Sequence, residues 1–325
     1  MSMIINGVLY NIIDIYDLSV TVPDSFVIND NKTCDGHGEA KLYMGSKEFM
    51  RNFYTGDPHN SGFNVKCFVL KDDLIQYMNI ISHEYKHPSI SYRGMGAASN
   101  MNNLWKQRFK ELQKLPNIIE FKIKDQNQIK GNRGYVKSTS NPLKGGYGII
   151  RTISLHFVSY ISVMKLENSA TREIVFYWKL FTDFPQMAEQ QYWAKHYGKK
   201  KLAKAGKKRD GQLKYRQTLF SQFGHCPFSK IDDEKLLIAS HIKPWAVCNE
   251  FEKTDPNNGF MLSPLFDKLF DKGYISFEDN GQLKISNWLS AANRARIDFS
   301  FDINDLKLNP QRLLYLDYHR KNVFK

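Results

Sequence analysis

The clearest helical pattern lies late in the chain. From Leu262 onward, apolar residues recur at Leu265, Phe266, Leu269 and Phe270, the three-and-four spacing of a helix with one buried face. Asp267 and Asp271 are four apart, so they lie one turn above each other on a single face. Gly273 closes the segment. Upstream, Leu236 to Ala239 reads as a short apolar strand that ends on Ser240 and His241. Pro244 stops regular structure there, because it removes a backbone donor and restricts Lys243 before it. Glu250 to Asn258 has the composition of a loop. The predicted unit is strand, His, loop, helix, with two carboxylates on the helix.

Elsewhere the patterns are weaker. MIINGVLYNIIDIYDLSVTV predicts early strands, and TCDGHGEAKLYMG is turn-rich. Helices are expected over 72–85 and 100–115, and a strand over 118–125. The stretches beginning at Gly148 and Arg172 read as a long hairpin turning around Glu167–Thr171. GQLKYRQTLFSQFG is a predicted helix with Tyr215, Leu219, Phe220 and Phe223 on one face. A hairpin turning at Asp279–Gly281 follows the main motif. The last predicted helix buries Leu313, Leu314 and Leu316, and its His319 and Arg320 are equally suited to DNA or to solvent. The fold class expected is α+β: a mixed N-terminal domain over 1–192, a linker over 193–212 and a second domain over 213–325.

Charge sharpens that division. The 325 residues carry a formal charge of +13. Between 193 and 216 there are 10 lysines and arginines against one acidic residue, whereas 217–325 balances at 14 of each. Lys199, Lys200, Lys201, Lys207, Lys208 and Arg209 form the centre of this run. Such a cluster releases counterions on meeting phosphates, the main source of non-specific nucleic-acid affinity. The loop GNRGYVKSTSNPLKGGYGIIR is also basic and suits phosphate or base-edge contacts, or is a plain exposed loop. Four cysteines without CxxC spacing exclude a disulfide framework and a zinc ribbon. Cys34 with His37, and His83 with His87, lack the further partners a metal site needs. No apolar run reaches membrane-spanning length, so a cytoplasmic protein is expected.

SHIKPW followed by NNGFMLSPLFDKLFDKGYISF resembles the HNH nuclease motif, the ββα-metal or His-Me finger, in its bacterial restriction-endonuclease variant. The resemblance covers about 216–290. It implies that His241 is the general base and that Asn258 is the loop asparagine, which holds the loop that orients the histidine. Family metal ligands stand nine and thirteen residues after that asparagine, at Asp267 and Asp271 here. The position before the general base is often another ligand, and Ser240 departs from that pattern. In many members a structural zinc is bound nearby by two cysteine pairs. The matching positions here are Cys226 with Ser229 and Ser263 with Phe266, so no structural zinc is expected.

The resemblance implies a deoxyribonuclease using Mg²⁺ or Mn²⁺, because hard cations prefer oxygen ligands. Lys243 is placed to meet a phosphate, or is solvated. Double-stranded DNA is the implied partner, and a homodimer is one assembly open to it. A type II restriction endonuclease, with 1–192 reading the target, fits the layout best. The alternatives are an HNH enzyme directed by methylated DNA and a DNA-binding protein that does not cut.

Overall fold

The computed structural model describes all residues except 24–40, 90–91, 93–100, 127–130, 141–144 and 198–211. The chain divides into two units, Met1–Lys200 and Lys201–Lys325. Lys199, Lys200, Lys201, Lys207, Lys208 and Arg209 lie outside the described residues, as do Cys34 and His37.

In the first unit the order is β1 (Ser2–Ile5), β2 (Val8–Thr21), β3 (Leu42–Ser46), α1 (Lys47–Thr55), β4 (Asn64–Leu70), α2 (Lys71–Ile80), α3 (Ser82–Lys86) and α4 (Asn102–Gln113). There follow β5 (Ile118–Asp125), β6 (Arg133–Ser138), α5 (Gly145–Ile153), β7 (Ser159–Asn168), β8 (Ile174–Thr182) and α6 (Phe184–Tyr197). Among the described residues the strands form one sheet in the order β1-β2-β7-β8-β4-β5-β6-β3. Among the described residues, only β4 and β8 pair in parallel. Trp178 and Phe121 meet edge to face at 5.5 Å in its core.

Several expectations change. Gly145–Ile153 is a helix, not the start of a hairpin. Its Ile149, Ile150 and Thr152 favour strands, yet burial of Tyr147, Ile150 and Ile153 at helical spacing decides the local structure. A Cβ on Gly146 would lie 2.5 Å from the Phe121 ring, so this helix approaches the sheet at glycine distance. The basic loop is largely regular structure as well: Arg133–Ser138 is β6, with alternate residues buried. Leu42–Ser46 is a strand where turns were expected. The helix over 72–85 breaks at Ile81. Of the expected linker, residues 193–197 continue α6.

The second unit runs α7 (Gln212–Phe223), β9 (Ile238–His241), β10 (Gly259–Leu262), α8 (Pro264–Asp271), β11 (Ile275–Phe277), β12 (Leu283–Ile285), α9 (Ala291–Arg296) and α10 (Pro310–Asn322). β9 starts two residues later than the apolar pattern suggests. Asp233 accepts the Lys235 N–H at 2.9 Å and caps a 3-10 turn over Glu234–Leu236, which leaves Leu236 exposed. The core gathers Leu219, Phe260, Phe270, Ile275 and Leu316. Gly273, at φ +68°, ends α8, and a Cβ there would fall 2.0 Å from the Val323 carbonyl oxygen.

α10 buries Leu316 and packs Leu313 on the core as its leucines suggest, but not Leu314. Leu314 is exposed, whereas Arg312, Tyr315, Leu316 and His319 are buried. Arg312 donates to the Pro256 carbonyl at 3.1 Å and covers the Phe223 ring at 5.0 Å. His319 is a core residue, not a DNA contact. Its ring stacks on Phe270 at 4.0 Å, with Nε2 3.1 Å from the Phe270 carbonyl and Nδ1 3.0 Å from the Ser276 hydroxyl. Arg320 donates to the Phe277 carbonyl and to Asp279, at 2.8 and 2.6 Å.

Burial lowers the His319 pKa from its ordinary value to about 3. The unfolded chain therefore takes up a proton near pH 6.5 that the folded chain refuses until about pH 3. More protons bound in the unfolded state means stability falls as pH drops through that window. His319→Gln should flatten this dependence in unfolding-midpoint measurements across that pH range. Parallel curves for the two proteins would contradict the buried, neutral ring.

Candidate active site

β9 and β10 pair antiparallel with His241 opposite Gly259, so the loop from Ile242 to Asn258 leaves and returns at one point. Asn258 closes it. The side chain is fully buried, and its Oδ1 accepts the Lys243 N–H at 2.8 Å. Its Nδ2 donates to the Glu252 carbonyl at 3.0 Å and to the Cys248 sulfur at 3.2 Å. Its backbone carbonyl accepts from Ile242 N–H at 3.2 Å and from the Tyr215 hydroxyl at 2.8 Å. A carboxamide bonded this way on both its oxygen and its nitrogen fixes backbone on each side of the loop.

The loop in turn fixes His241. Lys253, held in the same loop, presents its carbonyl 3.1 Å from His241 Nε2. A carbonyl only accepts, so Nε2 carries the hydrogen and a neutral ring has its lone pair on Nδ1. The flat face of the imidazole lies against Tyr215, ring centroids 4.4 Å apart. Lys243 is placed differently from a residue awaiting a phosphate. Its Nζ sits 2.7 Å from both Glu252 oxygens, 5.2 Å from the Tyr318 ring centroid.

α8 packs on β9 and sets Asp267 beside Ser240, the residue before His241. Pro264 opens the helix at its first turn, where its fixed φ suits a helix start. Asp267 is half-buried, and burial raises its pKa above the ordinary carboxylate value, with the Ser240 hydroxyl and Lys268 pulling the other way. Ser240 is buried, faces that carboxylate and completes no hydrogen bond of normal geometry through its Oγ. A partly desolvated carboxylate beside a buried hydroxyl suits a small hard cation. Asp271 is the last residue of the same helix, one turn on. Among the described residues no group of three or more His, Cys, Asp or Glu side chains is gathered as a metal site. The Asp267 carboxylate and the Ser240 hydroxyl are oxygen donors, the kind a hard divalent cation takes.

The positions matching the zinc pattern also meet, with other chemistry. The Cys226 thiol is buried and lies 3.7 Å from the Ser263 hydroxyl. Burial pushes that thiol up, but hydrogen bonds from Ser229 and Ser263 bring it below its ordinary pKa. Phe266 stacks on Phe228 at 4.1 Å. One thiol, two hydroxyls and a ring do not make a tetrahedral zinc site.

The first unit contains a cavity of about 430 Å³ whose lining includes Lys66, Phe68, Glu120, Lys122, Thr139 and Ser140. β4 and β5 place Lys66 opposite Lys122 and Phe68 opposite Glu120 in register. Lys66 bridges to Glu173 at 2.5 Å. No sequence motif marks this place.

A family model described as HNH endonuclease matches residues 226–278, which is 53 of the 325 residues. The match supports nuclease chemistry for this part of the chain. No curated protein matches the chain. Among the described residues, no helix is long and apolar enough to cross a membrane.

Closure by Asn258 has a measurable consequence. Asn258→Ala leaves the Lys243 N–H without its acceptor and should cost about 1–3 kcal/mol of stability. Limited trypsin digestion should then gain a cut after Lys253. An unchanged unfolding midpoint together with an unchanged digestion pattern would contradict the closure.

Proposed function

We propose that the chain is a type II restriction endonuclease that hydrolyses phosphodiester bonds of double-stranded DNA in the cytoplasm. The observation that carries this reading is the His241 geometry: an imidazole with Nε2–H bound to the Lys253 carbonyl, on a strand packed against the helix that bears Asp267. That arrangement leaves Nδ1 as the basic atom of the neutral ring.

In this reading His241 Nδ1 takes a proton from a water whose oxygen bonds to phosphorus, the bond from phosphorus to the 3′ oxygen breaks, that oxygen takes a proton from solvent water, and the imidazolium later returns its proton to solvent. Asp267 and Asp271 would hold one Mg²⁺ or Mn²⁺. When bound, that ion supplies neutralisation of the charge that builds on the phosphate and the departing oxygen. Asn258 acts by keeping the loop, and therefore Lys253, in place beneath the imidazole. Lys243 reaches a phosphate only by leaving Glu252, so its part in DNA binding is conditional on that exchange.

The remaining assignments follow charge. Residues 1–192 read the target, the basic run around Lys199–Lys201 and Lys207–Arg209 supplies affinity for any DNA, and 213–325 cuts. A homodimer would let two such units address both strands. A second reading, cutting directed by a methylated base, is favoured by the cavity beside Phe68 and Glu120. Its size falls in the ~300–1,000 Å³ range of small-ligand sites, and it offers a ring together with hydrogen-bonding groups.

The test is plasmid cutting with Mg²⁺, on methylated and unmethylated DNA, with the ends sequenced. EDTA should abolish cutting. His241→Ala should lose at least ~10² in rate while still binding DNA. Full-rate cutting by that variant would refute the general-base assignment, and absence of cutting by the wild type would refute the nuclease.

A further inference from the structure

Tyr215 stands on α7, outside residues 226–278, yet it is the residue laid flat against His241. The ring centroids are 4.4 Å apart and the planes differ by 17°. Its hydroxyl donates at 2.8 Å to the Asn258 carbonyl, the oxygen that also receives the Ile242 N–H. The tyrosine therefore touches both the imidazole and the residue that closes the loop. Burial raises its pKa well above the ordinary value, so the hydroxyl keeps its proton and stays a donor.

Space for this contact comes from Gly259. A Cβ there would fall 2.1 Å from the Tyr215 hydroxyl oxygen and 2.7 Å from a Leu219 methyl. Gly259 has φ −166°, an extended conformation open to any residue. Glycine at this position answers to the close approach of the tyrosine and not to backbone strain.

We propose that Tyr215 is a positioning residue that sets the plane of the His241 ring and so the direction of its Nδ1 lone pair. The proposal rests on the nuclease reading above. The hydrogen bond from Nε2 to Lys253 fixes one direction of the ring. The flat contact with Tyr215 restrains tilting of the ring about that bond, and the hydroxyl anchors the tyrosine to the same loop. Misplacing a reacting atom by about 1 Å can cost ~10² in rate.

The experiment is a double-mutant cycle on plasmid cutting under single-turnover conditions, with DNA affinity and thermal unfolding measured alongside. Tyr215→Leu should lower the cutting rate by ~10–10² while DNA affinity stays unchanged. Tyr215→Phe keeps the ring and should recover most of that loss. In a His241→Ala background, Tyr215→Leu should change the residual rate by less than about twofold, because nothing remains to be oriented. Equal losses in both backgrounds would mean that Tyr215 only supports the fold and would overturn the proposal, as would a full rate in Tyr215→Leu. If Tyr215→Leu does not fold, Gly259→Ala displaces the ring by an added methyl and should show the same dependence on His241. A wild type that cuts no DNA would overturn the nuclease reading, and this proposal with it.

Discussion

Hydrogen bonds to one buried carboxamide hold the proposed active site together. Asn258 joins the two ends of its loop across a separation of 15 residues in sequence. Closing such a loop has an entropic cost that grows with its length. The bonds to Lys243, Cys248 and Glu252 offset that cost with donors and acceptors that burial would otherwise leave unsatisfied. Support comes from outside the loop as well. Tyr315 donates to Asp255 at 2.8 Å and Arg312 to the Pro256 carbonyl, so α10 braces the segment in which Asn258 lies.

From this closure the rest follows in order. The loop puts the Lys253 carbonyl under His241, the carbonyl selects the tautomer, and the tautomer puts the lone pair on Nδ1. α8 packs on the same strand, and its Asp267 is desolvated enough to have a raised pKa. A carboxyl held in that condition gains most from a nearby cation. The division of labour in the proposed nuclease is therefore between groups that only position, such as Asn258 and Tyr215, and groups that face the substrate. The neighbouring Cys226, Ser229 and Ser263 meet at positions matching the zinc pattern, and there apolar stacking of Phe228 on Phe266 contributes cohesion.

The helix with Asp267 and Asp271 was legible from the spacing of Phe266, Leu269 and Phe270 and from Gly273, although Leu262 belongs to β10 and Leu265 is exposed. The hairpin around Asp279–Gly281 was legible for similar reasons, with Gly281 at φ +83° in its turn. His319 was not. Nothing in YHRKNVF distinguishes a solvated histidine from one stacked on Phe270, since burial of a polar side chain depends on partners far away in sequence. Gly145–Ile153 was misread because a helix buried on most sides has no polar face to reveal its period. Tyr215 carried only the signal of an ordinary core aromatic at helical spacing. Its relation to His241 exists only once α7 is packed against β9 and β10, and Gly259 was the one local sign of a close approach.

The claim on which the mechanism turns is that loop closure selects the His241 tautomer. Nitrogen NMR of the His241 ring in the full-length protein, at a pH where the ring is neutral, reads this directly. The account predicts a protonated Nε2 and an unprotonated Nδ1, with the Nε2 proton shifted by its bond to the Lys253 carbonyl. A ring protonated at Nδ1 in the neutral state, or an equal mixture of both tautomers, would contradict it.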